Sequence, residues 1–262
     1  MCSRLRAALL AVLVAAAAGG CGGRGGILGP QYEYEEDLTL SLDGSATLVV
    51  NASIPALVAL RGFPLDPSPH ARVDTIGPRV RELYTSPYAE VTRVAQWTRA
   101  GRRFVGVRLR VPDIRQLSKA SAFSWANYDL HPAGGQHVFT ETVGASAFKA
   151  GSSPVGLTGT EVVAFRLHLP SHIRYHNARD IDTDEPRSVQ RGNIITWEQR
   201  LSDRLQGAPV HLEVRMDSES ILYRTLYLFA VAFLAAIAVL GLLIWLTMRK
   251  GRGAEEVIDP VR

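Results

Sequence analysis

The chain is poor in cysteine. It has two cysteines in 262 residues, Cys2 and Cys21, and both stand near the N-terminus. The rest of the chain therefore has no thiol pair for a disulfide and no set of thiolates for a zinc site. The part that folds must be stabilised by its hydrophobic core, and about 200 residues are enough to build one.

Catalytic signatures are also missing. The sequence has no H-E-x-x-H, no G-x-S-x-G, no P-loop and no dinucleotide-binding fingerprint. Cysteine-based catalysis is excluded because Cys21, the one thiol outside the first few residues, lies at a predicted membrane tether. We therefore expect a protein that is not an enzyme and that takes no cofactor.

Two patterns resemble metal sites without meeting their requirements. His168, His172 and His176 are four residues apart, but the first belongs to a predicted strand and a proline follows it, so a helical stripe of ligands is excluded. Asp180–Glu185 resembles the start of a calcium loop, yet it lacks the glycine and the closing acid that such a loop needs. We expect no metal site here and a solvated acidic loop.

The excess of basic over acidic residues is confined to the two ends of the chain. The net charge is +4, but residues 22–220 contain 22 basic and 22 acidic side chains. The domain is therefore neutral, and we expect no nucleic-acid partner. One basic cluster lies in a predicted hairpin and consists of Arg99, Arg102, Arg103, Arg108 and Arg110. It has two interpretations: these arginines contact anionic lipid headgroups, or they form a solvated strand face.

A long apolar segment near the C-terminus predicts a transmembrane helix. Residues 226–248 carry no charge, and roughly 20 apolar residues suffice to cross a bilayer. Tyr223, Tyr227 and Trp245 lie where aromatic rings favour the membrane interface. Basic residues follow directly, at 249, 250 and 252. The positive-inside rule then assigns residues 249–262 to the cytoplasm and the large domain to the outside of a single-pass membrane protein.

The N-terminus has the anatomy of a secretory signal. Arg4 and Arg6 precede the apolar run Ala7–Ala18, which is too short to span a membrane. Small residues follow and lead to Cys21, an arrangement that resembles a bacterial lipobox, in which the cysteine is lipidated. The alternative is ordinary cleavage that leaves a free thiol. The predicted divisions are a signal peptide, a glycine-rich tether, an exported domain, a membrane helix and a tail: 1–21, 22–29, 30–220, 224–248 and 249–262.

Alternating apolar residues predict an antiparallel sheet made of hairpins. Asp43–Gly44 separates the first two alternating stretches, and Asp-Gly between such stretches is a strong hairpin signal. Two further hairpins follow, with turns near Ala100–Gly101 and His131–Gly135. Short helices are expected after Pro55, at Arg79–Tyr84 and after Asp113. The fold class is α+β, with about nine strands, two or three short helices and the C-terminal transmembrane helix.

Three tryptophans lie in predicted strands: Trp97, Trp125 and Trp197. Aromatic residues in strands usually belong to the core. If these three were collected around one cavity, they would instead line an apolar ligand site.

The chain resembles a known family in architecture over most of its length. The residues that carry the resemblance are Leu167–Pro170, Asn177 and Gly192–Glu198, followed by a final strand and a membrane helix. They are similar to the LppM-like bacterial lipoproteins, a family built around a domain of unknown function. The resemblance implies an exported α+β domain, and lipid or glycolipid binding is suggested for a mycobacterial member of the family.

Two functions follow as hypotheses. The leading one is a membrane-anchored exported domain that binds a lipid or an envelope glycolipid. The rival is a module that docks on another protein of the bacterial cell envelope. A lipid binder needs an apolar cavity, whereas a docking module needs an exposed apolar patch or a sheet edge. A hydrolase would need His, Asp and Ser to meet in a cleft.

Overall fold

The computed structural model describes residues 31–68, 76–148 and 155–255. Cys21, the signal segment and the tether 22–29 lie outside the described residues. These described residues form ten strands: β1 Tyr32–Leu40, β2 Ala46–Ser53, β3 Glu90–Arg99, β4 Arg102–Val111, β5 Ala126–Ala133, β6 Gln136–Val143, β7 Val162–His168, β8 Ile173–His176, β9 Ile194–Arg200 and β10 Val210–Asp217.

The strands form two sheets. The larger has the order β3-β4-β2-β1-β7-β9, and the smaller has the order β5-β6-β10-β8. All pairs are antiparallel except β1 and β7, which run parallel. One hydrophobic core contains residues of both sheets, such as Leu38 and Val50 of the larger sheet and Phe139 and Leu212 of the smaller one. The predicted α+β class with a largely antiparallel arrangement is confirmed.

The three predicted hairpins form where their turn residues stand. Gly44 and Gly101 have φ angles of 93° and 73°, in the left-handed region that favours glycine. The turn between β3 and β4 also places Ala100 at φ 47°. Two consecutive residues with positive φ close a tight hairpin whose twist matches that of its strands.

Short helices pack against strands of the larger sheet. Helix α1 is Ile54–Arg61, and it begins where the Ala56 N–H donates to the Ser53 side chain at 3.2 Å. Helix α2 is Ile76–Tyr84, and α3 is Leu201–Leu205. Two 3-10 helices lie between β4 and β5, at Ile114–Lys119 and Ser121–Phe123. As expected, Asp113 caps the first of these, since its side chain accepts from the Arg115 N–H.

The last element, α4 (Ile221–Glu255), is a 35-residue helix. Its segment Ile221–Arg249 is long and apolar enough to cross a membrane, and none of its most apolar stretch is buried against the domain. Side chains such as Phe229 and Phe233 are exposed. A helix with this composition and no protein cover is expected to be covered by lipid.

The strand directions define two ends of the larger sheet. Strands β1, β4 and β7 end where β2, β3 and β9 begin, next to the start of α4. We call this the basal end. The opposite, distal end carries the β3–β4 turn, the first residue of β1 and the last residue of β9.

Candidate functional site

A cleft of about 610 Å³ opens at the basal end, where the folded domain meets α4. Its walls come from the end of β1 and the β1–β2 turn, the end of β7 and the residues after it, Gly192 in the loop before β9, and the first turn of α4. The apolar lining residues, which form the greater part of the surface, are Leu40, Leu42, Leu169, Pro170, Leu222 and Tyr223. We call this cavity the basal cleft.

Main-chain hydrogen bonds fix the start of α4 beside the basal cleft. The Ile221 N–H donates to the Pro170 carbonyl at 3.0 Å, and the Asp217 N–H donates to the His172 carbonyl at 3.0 Å. The buried Ser171 hydroxyl donates to the Glu219 carbonyl at 2.8 Å. The helix therefore leaves the domain without a flexible stalk, and the cleft lies where α4 would enter a bilayer.

The polar lining of the basal cleft is acidic and rich in hydroxyls. It consists of Thr39, Ser41, Asp43, His168 and Ser220, with no arginine or lysine among the described lining residues. Asp43 accepts the main-chain N–H of Ser45 at 2.9 Å and its hydroxyl at 2.7 Å. These two hydrogen bonds hold the pKa of the Asp43 carboxyl below its usual range.

His168 is paired with a carboxylate. Its Nε2 lies 3.1 Å from Asp37 Oδ1, and Arg166 lies 3.4 Å from the other oxygen. Burial works to raise the pKa of Asp37, but the contacts with His168 and Arg166 outweigh it, and this pKa lies below its usual value. The described contacts join His168 to this acid and to no hydroxyl, so they do not assemble the His, Asp and Ser set that a hydrolase would need.

The arginine cluster divides into two groups at different levels of the sheet. Near the distal end, Arg102 lies 2.7 Å from a Glu33 oxygen and Arg99 donates to the Tyr32 carbonyl at 2.5 Å. Arg103 donates to the carbonyls of residues 66 and 68 at 2.8 and 2.7 Å. These three guanidinium groups therefore anchor loops and the start of β1.

The other two arginines lie on the outer face of β4, in its basal half. Arg108 and Arg110 are exposed, while Val107, Leu109 and Val111 are buried, as the strand alternation predicts. Arg110 lies 3.0 Å from a Glu90 oxygen, and both side chains are largely exposed. Of the five arginines that were predicted to contact lipid headgroups, only Arg108 and Arg110 lie towards the basal end, where α4 begins.

The three tryptophans do not share one cavity in the part of the chain that the structure describes. Trp97 is 38% exposed on the edge strand β3 and stacks on Phe104, with ring centroids 5.7 Å apart. It borders a separate cavity of about 210 Å³ near the distal end. Trp197 is buried, and its Nε1 donates to the Asn177 side chain at 2.8 Å.

Trp125 belongs to a buried polar centre that sequence reasoning missed. Arg61, at the end of α1, donates to Glu36 at 3.2 Å and also to the Tyr34 hydroxyl. The Tyr128 hydroxyl donates to the other Glu36 oxygen at 3.3 Å. The Arg61 guanidinium lies 4.1 Å from the Trp125 ring centroid, a cation–π distance. The alternation of buried and more exposed residues along β1 points Tyr34 and Glu36 inwards. This alternation was the sequence signal that could have revealed the buried centre.

Glu141 completes this centre from the smaller sheet. Burial, and then the Glu36 carboxylate, raise its pKa well above the usual value, and the attraction of Arg61 only partly opposes them. One of its oxygens has no hydrogen-bond partner among the described residues, and the same holds for Arg61 Nη2 and the Tyr84 hydroxyl. The charged side chains of the centre, Arg61, Glu36 and Glu141, are almost completely buried, so we assign the centre to the core and not to a ligand site.

The acidic loop is held by arginines. Asp180 accepts the main-chain N–H groups of Asp182 and Thr183 at 3.0 and 3.2 Å. Arg187 lies 3.2 Å from Asp180, and Arg200 lies 2.6 Å from Asp182. No group of three potential ligand residues is arranged to hold a metal ion within the described ranges.

Comparisons with known proteins find a distant structural neighbour. No family model matches the chain, and no curated protein matches its sequence. The NMR structure of the folded domain of the Mycobacterium tuberculosis protein LppM is similar over 74% of this chain and 95% of that chain, with 10% identity and a TM-score of 0.36. No family model supports membership of the LppM-like family.

Proposed function

We propose that this chain is a non-enzymatic, membrane-anchored extracytoplasmic domain that binds a membrane lipid in the basal cleft. The observation that carries the proposal is the composition of the cleft walls. The folded domain supplies one wall, through residues such as Leu42 and Leu169, and the first turn of α4 supplies the other, through Leu222 and Tyr223. A lipid in the bilayer can reach such a cleft without passing through water.

The size and chemistry of the cleft support this proposal. A volume of about 610 Å³ falls within the range of small-molecule sites, and apolar walls with a few polar groups are their usual lining. In this proposal the cleft holds the part of an acyl chain nearest the glycerol and the adjoining part of the headgroup, while the rest of the lipid remains in the bilayer. Residues 249, 250 and 252, which are basic, favour the topology with the domain outside.

Photocrosslinking tests the proposal. The full-length protein is placed in vesicles that contain a phospholipid with a diazirine on its acyl chain, and the labelled peptides are mapped. We expect labelling at residues 39–43 and 168–170. Leu42→Trp fills the cleft and is expected to lower this labelling about tenfold, because a large side chain takes the space of the acyl chain.

Leu83→Trp is the matched control, since Leu83 is also a partly buried leucine at the rim of the core but lies on α2. Its labelling is expected to equal that of the unmodified protein. Labelling confined to α4, or equal labelling of the two variants, would contradict lipid binding in the basal cleft.

A second candidate function is docking on another envelope protein. The observation that favours it is Trp97, an exposed aromatic ring on an edge strand with a small cavity beside it. Tryptophan is enriched among the residues that dominate binding energy at protein interfaces. A photoreactive residue in place of Trp97 would capture such a partner in intact cells, and the absence of any crosslinked protein would count against docking at this edge.

A further inference from the structure

A second cavity, of about 380 Å³, lies between the loop that joins β8 to β9 and the outer face of β9. We call it the loop cavity. Its polar lining includes Asp180, Glu185, Arg187, Gln190 and Thr196. The basal cleft is lined by other residues, so the loop cavity is a separate place on the domain.

Thr196 is a buried residue whose hydroxyl is accessible from the loop cavity. It lies on β9 between Ile195 and Trp197, which point into the core, so its side chain points to the outer face of the sheet. The residue is 3% exposed, yet its hydroxyl makes no hydrogen bond with the described residues. Because the hydroxyl oxygen is not fully enclosed, a polar group in the loop cavity can reach it. A buried hydroxyl is favourable only with such a partner.

Arg187, the one basic residue of the described lining, is already matched with acids. Its Nη1 donates to Glu198 at 3.2 Å and its Nη2 donates to Asp180 at 3.2 Å. Nη2 also donates to the other Glu198 oxygen. A single guanidinium thus faces two carboxylates, so the lining keeps no cation for the bidentate binding of an anion.

Glu185 is the acid of the loop cavity that lacks a matching cation. Its carboxylate makes no hydrogen bond or ion pair with the described residues. The other exposed acids of the loop differ, since Asp182 faces Arg200 at 2.6 Å and Asp184 faces Arg179 at 3.8 Å. The carboxylate of Glu185 is therefore the group that can attract a charged ligand.

Arg191 opposes this charge from outside the lining. It follows the lining residue Gln190, is exposed, and makes no ion pair with the described residues. Within the lining itself, two acids and one base leave one negative charge. An exposed cation beside the cavity is screened by water and salt. Arg191 therefore weakens the preference for a cationic ligand without reversing it.

We propose that the loop cavity binds a primary ammonium group, which either a lysine side chain of a partner protein or a small free amine can supply. An ammonium group has three donors and no acceptor. The Glu185 carboxylate, the Gln190 side-chain carbonyl and the Thr196 hydroxyl offer it acceptors from three segments of the chain. A guanidinium group suits this set less well, because its planar donors pair best with two oxygens of one carboxylate. The proposal is independent of lipid binding, since a separate cavity carries it.

Saturation-transfer difference NMR measures this binding. The full-length protein is placed in phosphatidylcholine nanodiscs, whose lipid has no primary amine, and empty nanodiscs give the blank. The probes are Nα-acetyl-lysine-N-methylamide, butylamine and Nα-acetyl-arginine-N-methylamide. We expect the dissociation constant of the lysine probe to be about fivefold lower than that of the arginine probe, a difference that one hydrogen bond produces.

Variants test the assigned roles. Glu185→Gln removes the charge and should weaken binding of the lysine probe about tenfold. Thr196→Val removes the hydroxyl with little change in shape and should weaken binding about fivefold, whereas Thr196→Ser keeps the hydroxyl and should bind normally. Arg191→Gln removes the opposing cation and should strengthen binding about twofold. Glu82→Gln, a change at an exposed acid on α2, is the matched control and should change nothing.

The probes also distinguish the two sources of the ammonium group. Tighter binding of the lysine probe than of butylamine would support a protein side chain, and equal binding would support a free amine. Signals no larger than those of empty nanodiscs, or an arginine probe that binds as tightly as the lysine probe, would overturn the proposal. Unchanged binding in Glu185→Gln, or equal losses in Thr196→Val and Thr196→Ser, would do the same. So would displacement of the lysine probe by Ca²⁺, which would make the cavity a metal site.

Discussion

At the scale of single residues, the pair Arg61 and Glu36 is the most consequential feature of the core. Both side chains are almost completely buried, at 2% and 4% exposure. A buried ion pair gains little over an apolar pair, but removal of one partner leaves an uncompensated charge in a medium of low polarity. The stability of the domain therefore depends on keeping both partners or neither.

Arg61→Met is expected to lower the free energy of unfolding by about 3–5 kcal/mol, because Glu36 loses its cation. Chemical unfolding of the full chain in detergent, followed by tryptophan fluorescence, measures the loss. The double variant Arg61→Met with Glu36→Gln should recover part of it. Arg110→Met breaks an exposed pair with Glu90 and should cost less than about 1 kcal/mol. Equal losses for Arg61→Met and Arg110→Met would refute this account.

Glu141 should make the domain less stable as the pH rises. Its pKa is raised in the folded state, so between the unfolded and folded pKa values the folded chain binds more protons than the unfolded one. The contribution of Glu141 to stability is therefore smallest at alkaline pH. Each pH unit between its unfolded and folded pKa values lowers the free energy of unfolding by about 1.4 kcal/mol. Glu141→Gln should therefore unfold at a higher temperature than the unmodified protein at pH 8, with a difference that shrinks towards pH 4.5.

Thermal unfolding of the full chain between pH 4 and pH 8 checks this expectation. Glu82→Gln is the control, because Glu82 is exposed on α2 and faces Arg79. Its unfolding temperature should follow that of the unmodified protein at every pH. A Glu141→Gln variant that keeps the full pH dependence would show that another group causes it.

At the scale of elements, local signals explain what could be predicted. Asp43–Gly44 and Ala100–Gly101 mark hairpins because few residues tolerate the backbone angles of tight turns. The parallel pair β1–β7 could not be predicted, since more than a hundred residues separate its strands and no local pattern records their contact. Strand β8 was missed because it has four residues, too few for alternation, and forms by pairing with β10.

The candidate site was less accessible to prediction than the fold. The basal cleft combines residues from the β1–β2 turn, from the segment after β7 and from α4, and the cleft exists only because tertiary contacts bring these elements to one end. The sequence did single out Trp97, Trp125 and Trp197, but the structure distributes them over different places. Residue type alone did not reveal which of them faces solvent.

Strand β4 carries a glycine where a central strand normally has a side chain. A Cβ on Gly106 would lie 3.1 Å from Trp97 Cζ3 and 2.9 Å from Asn51 Oδ1. Gly106→Ala should therefore destabilise the domain by about 1 kcal/mol, the cost of overpacking less the gain from replacing a flexible residue. In a Trp97→Ala background the same change should cost less, because the contact with the ring is gone while the contact with Asn51 Oδ1 remains.

A double-mutant cycle on unfolding free energies measures this coupling. The two single variants and the double variant are compared with the unmodified protein in the same detergent. A coupling energy near zero would mean that Trp97 does not press on the backbone of β4, and that its stacking on Phe104 alone fixes its position.

At the scale of the whole molecule, the two ends of the folded domain lie far apart. Strand β1 begins at the distal end, and its nine residues span about 27–30 Å before the basal end, where α4 starts. The length of β1 therefore separates the start of the sheet from the start of α4.

Thiol labelling in intact cells tests both the topology and the modification of Cys21. With a maleimide that does not cross membranes, the unmodified protein should remain unlabelled, because Cys2 leaves with the signal peptide and a lipidated Cys21 has no free thiol. Asp203→Cys places a thiol on an exposed position of the domain, and it should react in intact cells. Arg252→Cys should react only after the membrane is permeabilised, since the positive-inside rule assigns residue 252 to the cytoplasm.

Each unexpected labelling result would contradict a different part of the predicted topology. Labelling of the unmodified protein in intact cells would show that Cys21 carries a free thiol, and the domain would then depend on α4 alone for its attachment. Labelling of Arg252→Cys from outside, with Asp203→Cys protected, would invert the orientation. The basal cleft would then face the cytoplasmic leaflet, and its ligand would have to be sought among the lipids of that leaflet.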